Sequence, residues 1–263
     1  MPLRPHSRLS ILAALAACML PAVAQEQALG SDGTARQEMQ KIVDVQSARD
    51  PDLRPYRTML RGLDAYADHL QLAPGAPLRF MLIPSAPGAA MGDVTLHLSA
   101  DNLSIPIPLA PDGTFSLSRD KTAYDANADL VSNKKRASLR WQPDIHTPGL
   151  PPNVRRLGDL RLECEVRWAV EQDQLSFIMR NFFRMAGGPC HSALIHVPFP
   201  SRHPLASVEA RSGERSMAVR LKEDMRRYVP PLYDRSWDDN TLLILTYAHE
   251  HVASGKTPAI NLH

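Results

Sequence analysis

The chain has 263 residues, 44% of them apolar, 22% charged and 6% aromatic. That is enough apolar material to bury a real core in one large domain or two small ones. Thirty basic side chains against 28 acidic ones argue against an extended surface for a nucleic-acid backbone. Twenty-three prolines to thirteen glycines exclude collagen and a mainly helical chain, but not a β-rich globule.

Residues 1–24 have the form of a secretory signal. Arg4 and Arg8 precede an almost wholly apolar run over 9–20, and Ala22-Val23-Ala24 before Gln25 is a small-x-small cleavage site. Pro21 and the polar Gln25-Glu26-Gln27 argue against a membrane-spanning anchor. Leu15-Ala16-Ala17-Cys18 resembles the lipobox of bacterial lipoproteins, which would instead leave the protein lipid-anchored through Cys18. The apolar Met19-Leu20-Pro21 that follows favours simple export to the periplasm or medium. Cleavage at Ala24/Gln25 removes two of the 30 basic residues and no acid, so 28 bases then face 28 acids. Cys164 and Cys190 remain, and an exported chain with one such pair is expected to bridge them.

In chain order, 25–52 reads as a flexible polar lead-in with a short helix around Met39, Ile42 and Val43. Residues 53–256 read as the globular domain, with a possible sub-division near 171, and 257–263 as a tail. A helix is predicted over 53–70, capped by Asp52, with Tyr56, Met59, Leu60, Leu63, Tyr66 and Leu70 on one face. Period-2 strands follow around Leu78–Leu82 and Val94–Leu98. A third, over 104–109, carries Pro106 and Pro108 and so belongs at an edge.

Asp112-Gly113-Thr114-Phe115-Ser116-Leu117 predicts a hairpin turn. It is similar to the D-G-x-F-x-L hairpin of transthyretin-like and carboxypeptidase-regulatory-like sandwich modules; the likeness spans this turn alone and carries no function with it. A polar loop is expected over 119–137, a strand over 138–142 and a proline-rich loop over 143–153. The plainest alternation is Leu160, Leu162, Cys164, Val166, Trp168 and Val170 against Arg161, Glu163, Glu165 and Arg167. It predicts a strand with one core face and one wet face. An amphipathic helix over 174–186, capped by Asp173, presents Leu175, Ile178, Met179, Phe182 and Phe183 as a core stripe. Strands are expected at 192–199, 205–211 and 241–247, whereas 216–228 fits strand or helix. The fold class is therefore mainly β with some α (α+β): an antiparallel β-sandwich-like core, an N-terminal helix and one internal amphipathic helix.

Signals for chemistry are sparse. His249 and His251 could share a strand face and ligate a metal, with a third ligand from His191, His196, His203 or His263. There is no H-E-x-x-H. Asp125-x-Asn127-x-Asp129 opens like a calcium loop, but Leu130 replaces the required glycine and Arg136 the final glutamate. Ser132-Asn133-Lys134-Lys135 satisfies S-x-x-K without its companion motifs. Trp141 and Trp237 are candidates for a glycan platform, Trp168 being assigned to the core. The arginine pairs Arg155-Arg156 and Arg226-Arg227 read as solvated surface.

Two functions follow. The first is an exported, non-enzymatic binding or accessory module without a cofactor. It would contact an envelope protein, peptide or glycan through the loops at 143–153 and 198–204. The second is an exported metal-assisted hydrolase using His249 and His251.

Overall fold

The computed structural model describes residues 50–85 and 91–248. The cleavage site, Cys18, most of the lead-in, His249, His251 and His263 lie outside them. The described residues belong to one compact unit. With about 25% helix and 34% strand in open antiparallel sheets, the fold is mixed α/β, and a closed sandwich is not seen among the described residues.

Strand β1 (Pro51–Pro55) leads directly into helix α1 (Tyr56–Asp68). The helix thus begins three residues later than its capping signal predicts. Asp52 is buried, and its carboxylate accepts from Trp141 Nε1 at 2.9 Å instead of capping. Strands β2 (Leu78–Pro84), β3 (Leu96–Ala100), β4 (Leu103–Pro106) and β5 (Thr114–Phe115) follow. The 110–114 turn forms, with Gly113 at φ 83°, but its arms part company. β4 stays with β3, and β5 pairs with β2.

The expected polar loop at 119–137 holds a short helix α2 (Lys121–Asp125) and a strand β6 (Asp129–Lys135). The brief apolar run Ala128, Leu130 and Val131 suffices because β6 is clamped between β1 and β3, in a sheet ordered β1-β6-β3-β4. The proline-bearing β4 is an edge, as its sequence requires. Strand β7 (Leu139–Ile145) completes a second sheet, β5-β2-β7.

After β8 (Val154–Arg156) comes the main departure from the sequence pattern. Residues Leu157–Glu171 are not a strand but a helix, α3, with Leu157 through Val166 all buried. In a helix, positions two apart lie on opposite sides, so apolar residues at every second position supply two walls at once. Leu162, Val166 and Val170 pack with α1 and the two N-terminal sheets. Leu157, Leu160 and Cys164 pack in a second cluster with Leu205, Tyr228, Trp237 and Leu243. Gly62 lets α1 lie close against α3, since a Cβ there would stand 2.8 Å from Val170 Cγ2.

The charges expected to be wet are turned inward and paired, as burial demands. Asp159 accepts from the amide and hydroxyl of Thr147 at 2.8 and 2.7 Å. Arg161 donates to the carbonyls of Leu232, Asp234 and Trp237, each at 2.9 Å. Glu163 meets Arg155, and Glu165 meets His191 at 2.8 Å.

Helix α4 (Phe177–Met185) exists as predicted but is capped by Ser176. Asp173 instead pairs with Arg61 and Arg180. Its stripe is not core: Ile178 is 78% exposed and Phe182 50%, while Phe183 turns in against Trp168. Only β9 (Phe199–Pro200) forms within the strand predicted at 192–199. β10 (Leu205–Ser212), β11 (Arg215–Ala218), β12 (Arg220–Leu221) and β13 (Arg227–Val229) resolve 216–228 as strand and turn, without a helix. β14 (Leu242–Tyr247) lies inside a sheet ordered β11-β10-β14-β8, the central place its apolar run predicts. β12, β13 and β9 form a last small sheet.

Cys164 and Cys190 are bridged, with Cα atoms 5.7 Å apart and a sequence separation of 26. The bridge ties α3 to the segment that follows α4. Replacing both cysteines with alanine is expected to cost about 3.5 kcal/mol in the chain-entropy account. Urea unfolding of the two proteins, each without reductant, measures it.

Candidate functional site

A cleft of about 1000 Å³ opens beside the buried end of β7. Its floor is the outward face of the β5-β2-β7 sheet, opposite the core residues Phe80, Leu82 and Trp141. On that floor Arg79, Met81 and Ile83 of β2 lie beside Arg140, Gln142 and Asp144 of β7. The walls are residues 147–152 and 200–203, the residues around β13, and Leu245 and Tyr247 of β14. Both proline-rich loops expected to make contacts therefore face the same space. Asp159 at the start of α3 holds the first of them through Thr147.

Among the described residues, six arginines line the cleft against three aspartates, with no lysine. Arg79 Nη2 lies 2.6 Å from Asp144 Oδ2, and His146 Nε2 lies 3.1 Å from Asp144 Oδ1. Burial pushes the Asp144 carboxyl up, but the His146 hydrogen bond and the charges of His146, Arg79 and Arg155 outweigh it and hold it below the usual carboxylate range. Arg155 donates through Nη2 to the Ile145 carbonyl at 3.0 Å and to Glu163 Oε1 at 2.7 Å. Burial opposes its charge, yet Glu163 beside it raises its pKa above the ordinary value and keeps it a cation. Tyr228 is 1% exposed. Burial pushes its phenol up to about 12, so it remains a protonated donor. Among the described residues its hydroxyl and Arg155 Nε are buried without a hydrogen-bond partner.

Asp144, His146 and Glu163 bring ligand atoms within 4.8 Å of one another. Each of the two carboxylates already has an arginine on it, Arg79 and Arg155. The positive charge that a divalent cation would supply is thus in place, which makes the trio a poor metal site. A histidine oriented by a buried aspartate is also half of a hydrolytic triad. Among the described residues, no serine, threonine or cysteine side chain hydrogen-bonds His146.

The other sequence candidates are scattered. Trp141 and Trp237 are buried, which removes them as a glycan platform. Asp125 pairs with Lys121, and Asp129 begins β6. Ser132 is buried in β6 and accepts from the Lys134 amide at 3.3 Å, while Lys134 pairs with Asp93. His191 is engaged by Glu165, and His196 is exposed. His203 reaches the cleft with its ring 5.3 Å from that of Tyr247. The sequence reading missed Arg79, Asp144, His146, Arg155, Glu163 and Tyr228; the only local hint was the Asp144-Ile145-His146 alternation entering a loop rich in proline. Among the described residues no helix is long and apolar enough to cross a membrane. No known protein family, curated protein or solved structure matches the chain.

Proposed function

We propose that the protein acts outside the cytoplasm as a non-enzymatic binding module and holds its partner in this cleft. The observation that carries the reading is that the loops 147–152 and 200–203 wall one large space over a rigid sheet face, where binding surfaces are commonly built. The Cys164–Cys190 bridge supports an oxidising compartment. The hydrogen-bonded arginines and acids at the inner end hold that part of the site in one arrangement.

A photo-crosslinking side chain placed at Leu150 or His203, in protein exported by its own cell, tests this. Both positions are expected to trap the same partner, and a crosslinker at Lys121, remote on α2, is expected to trap none. Equal labelling from all three positions, or none from any, would overturn the reading.

A further inference from the structure

We infer that the occupant of the cleft is an extended acidic peptide whose carboxylates alternate with apolar side chains. This rests on the cleft being the contact site and adds the chemistry of what enters it. Among the described residues, Arg140 and Arg226 are exposed and have no carboxylate within ion-pairing distance. Arg202 is half-exposed and reaches Asp112 only at 3.6 Å. Arg226 Nη1 donates to the Arg202 carbonyl and Arg202 Nη2 to Met81 Sδ, each at 3.5 Å. The remaining N–H groups of the three guanidinium forks are open to carboxylates, a geometry that lysine would not offer. At the inner end, the buried Tyr228 hydroxyl is without a partner and the buried Arg155 Nε is a donor without an acceptor. Buried polar groups in folded proteins are rarely left so. An anionic acceptor that enters from the cleft satisfies both.

The same cleft is lined by the apolar Met81, Ile83, Leu150, Val154 and Leu245. An extended chain presents side chains alternately to opposite sides, so acidic and apolar residues can meet arginines and these apolar patches in turn. A glycan fits less well. Sugar rings stack on flat aromatic faces, yet Trp141 and Trp237 are buried and Tyr247 has His203 edge-on against it. Polyphosphate would use the arginines but leave the apolar patches bare.

Fluorescence anisotropy of the full mature protein with a labelled peptide of alternating Glu and Leu decides the matter. The peptide is expected to bind, to weaken as salt rises, and to outcompete polygalacturonate and polyphosphate. A Lys and Leu peptide of the same length is expected not to bind. Arg140→Glu with Arg226→Glu, both on the surface, is expected to weaken binding by at least about tenfold. Tyr228→Phe, which removes a single oxygen, is expected to weaken it severalfold with the unfolding midpoint kept. Failure of the Glu and Leu peptide to bind, equal binding of the Lys and Leu peptide, no loss on charge reversal, or tighter binding of either polyanion would each overturn the inference. If crosslinking from Leu150 and His203 persists in that case, the cleft remains the contact site and only the acidic peptide is wrong. If crosslinking fails as well, both fall.

Discussion

Arg161→Met is expected to destabilise the protein by about 4 kcal/mol, near the upper end of what one surface-sized side chain can do. The guanidinium sits in the wall between α3 and the 232–239 segment, 4% exposed. It donates to three carbonyls and to the Asp239 carboxylate. Methionine fills much of the same volume, so the packing loss is modest. Three carbonyls and one carboxylate, however, lose their donor together, and each bond to a charged group contributes about 1.5–3 kcal/mol. Trp237, which is 1% exposed, is carried on that segment and would lose its seat. Urea unfolding followed by tryptophan fluorescence reads both effects. Arg161→Lys is expected to recover less than half of the loss, because an ammonium cannot span the four acceptors. A change below about 1 kcal/mol for Arg161→Met would mean that Leu232 and Trp237 anchor the segment by packing alone.

Gly158→Ala inverts the usual rule. In a helix interior, alanine is better than glycine by roughly 0.5–1 kcal/mol. Here a Cβ would lie 2.0 Å from the Leu72 carbonyl oxygen and 3.0 Å from both Cβ and the carbonyl oxygen of Asp239. Neither neighbour can swing aside. The Leu72 oxygen accepts from Arg156 Nη2 at 2.9 Å, and the Asp239 oxygen accepts from the Gly158 amide at 3.0 Å. Three backbone segments cross at this point, and α3 would have to move away from both cores. The expected cost is about 3 kcal/mol or more, with loss of soluble protein as the extreme. Gly92→Ala is the control. A Cβ at Gly92 meets nothing within 4 Å, and a change within about 0.5 kcal/mol is expected there. Thermal unfolding of the three proteins gives the comparison.

The parts of the fold legible in the sequence are those in which one side of an element faces water. β2 and β3 announced themselves by alternation, β14 by its apolar run, and the prolines of β4 placed it at an edge. α3 was misread because its charged residues look solvated. Asp159, Arg161, Glu163 and Glu165 are instead interior, each with a partner supplied from outside the helix: Thr147, the 232–239 segment, Arg155 of β8 and His191. Nothing within the helix names those partners. The opposite error occurs at α4, where a correct apolar stripe is left largely uncovered. The cleft was half-visible: its two loops stood out by their prolines, but its arginines read as ordinary surface. Tyr228 was one apolar position in a stretch that fitted two periods, and only the packing of β13 gives it a buried hydroxyl.

The order in which α3 is made has its own consequence. A ribosome or an export channel delivers the chain from its N-terminus, so α1 and the β1–β7 strands emerge before Leu162, Val166 and Val170 exist to cover them. Their inner faces stay open until α3 arrives, and the same helix is then claimed by the second cluster, which is still to come. The early chain is thus an aggregation-exposed intermediate by construction. Release of most of the chain before folding begins would shorten that exposure.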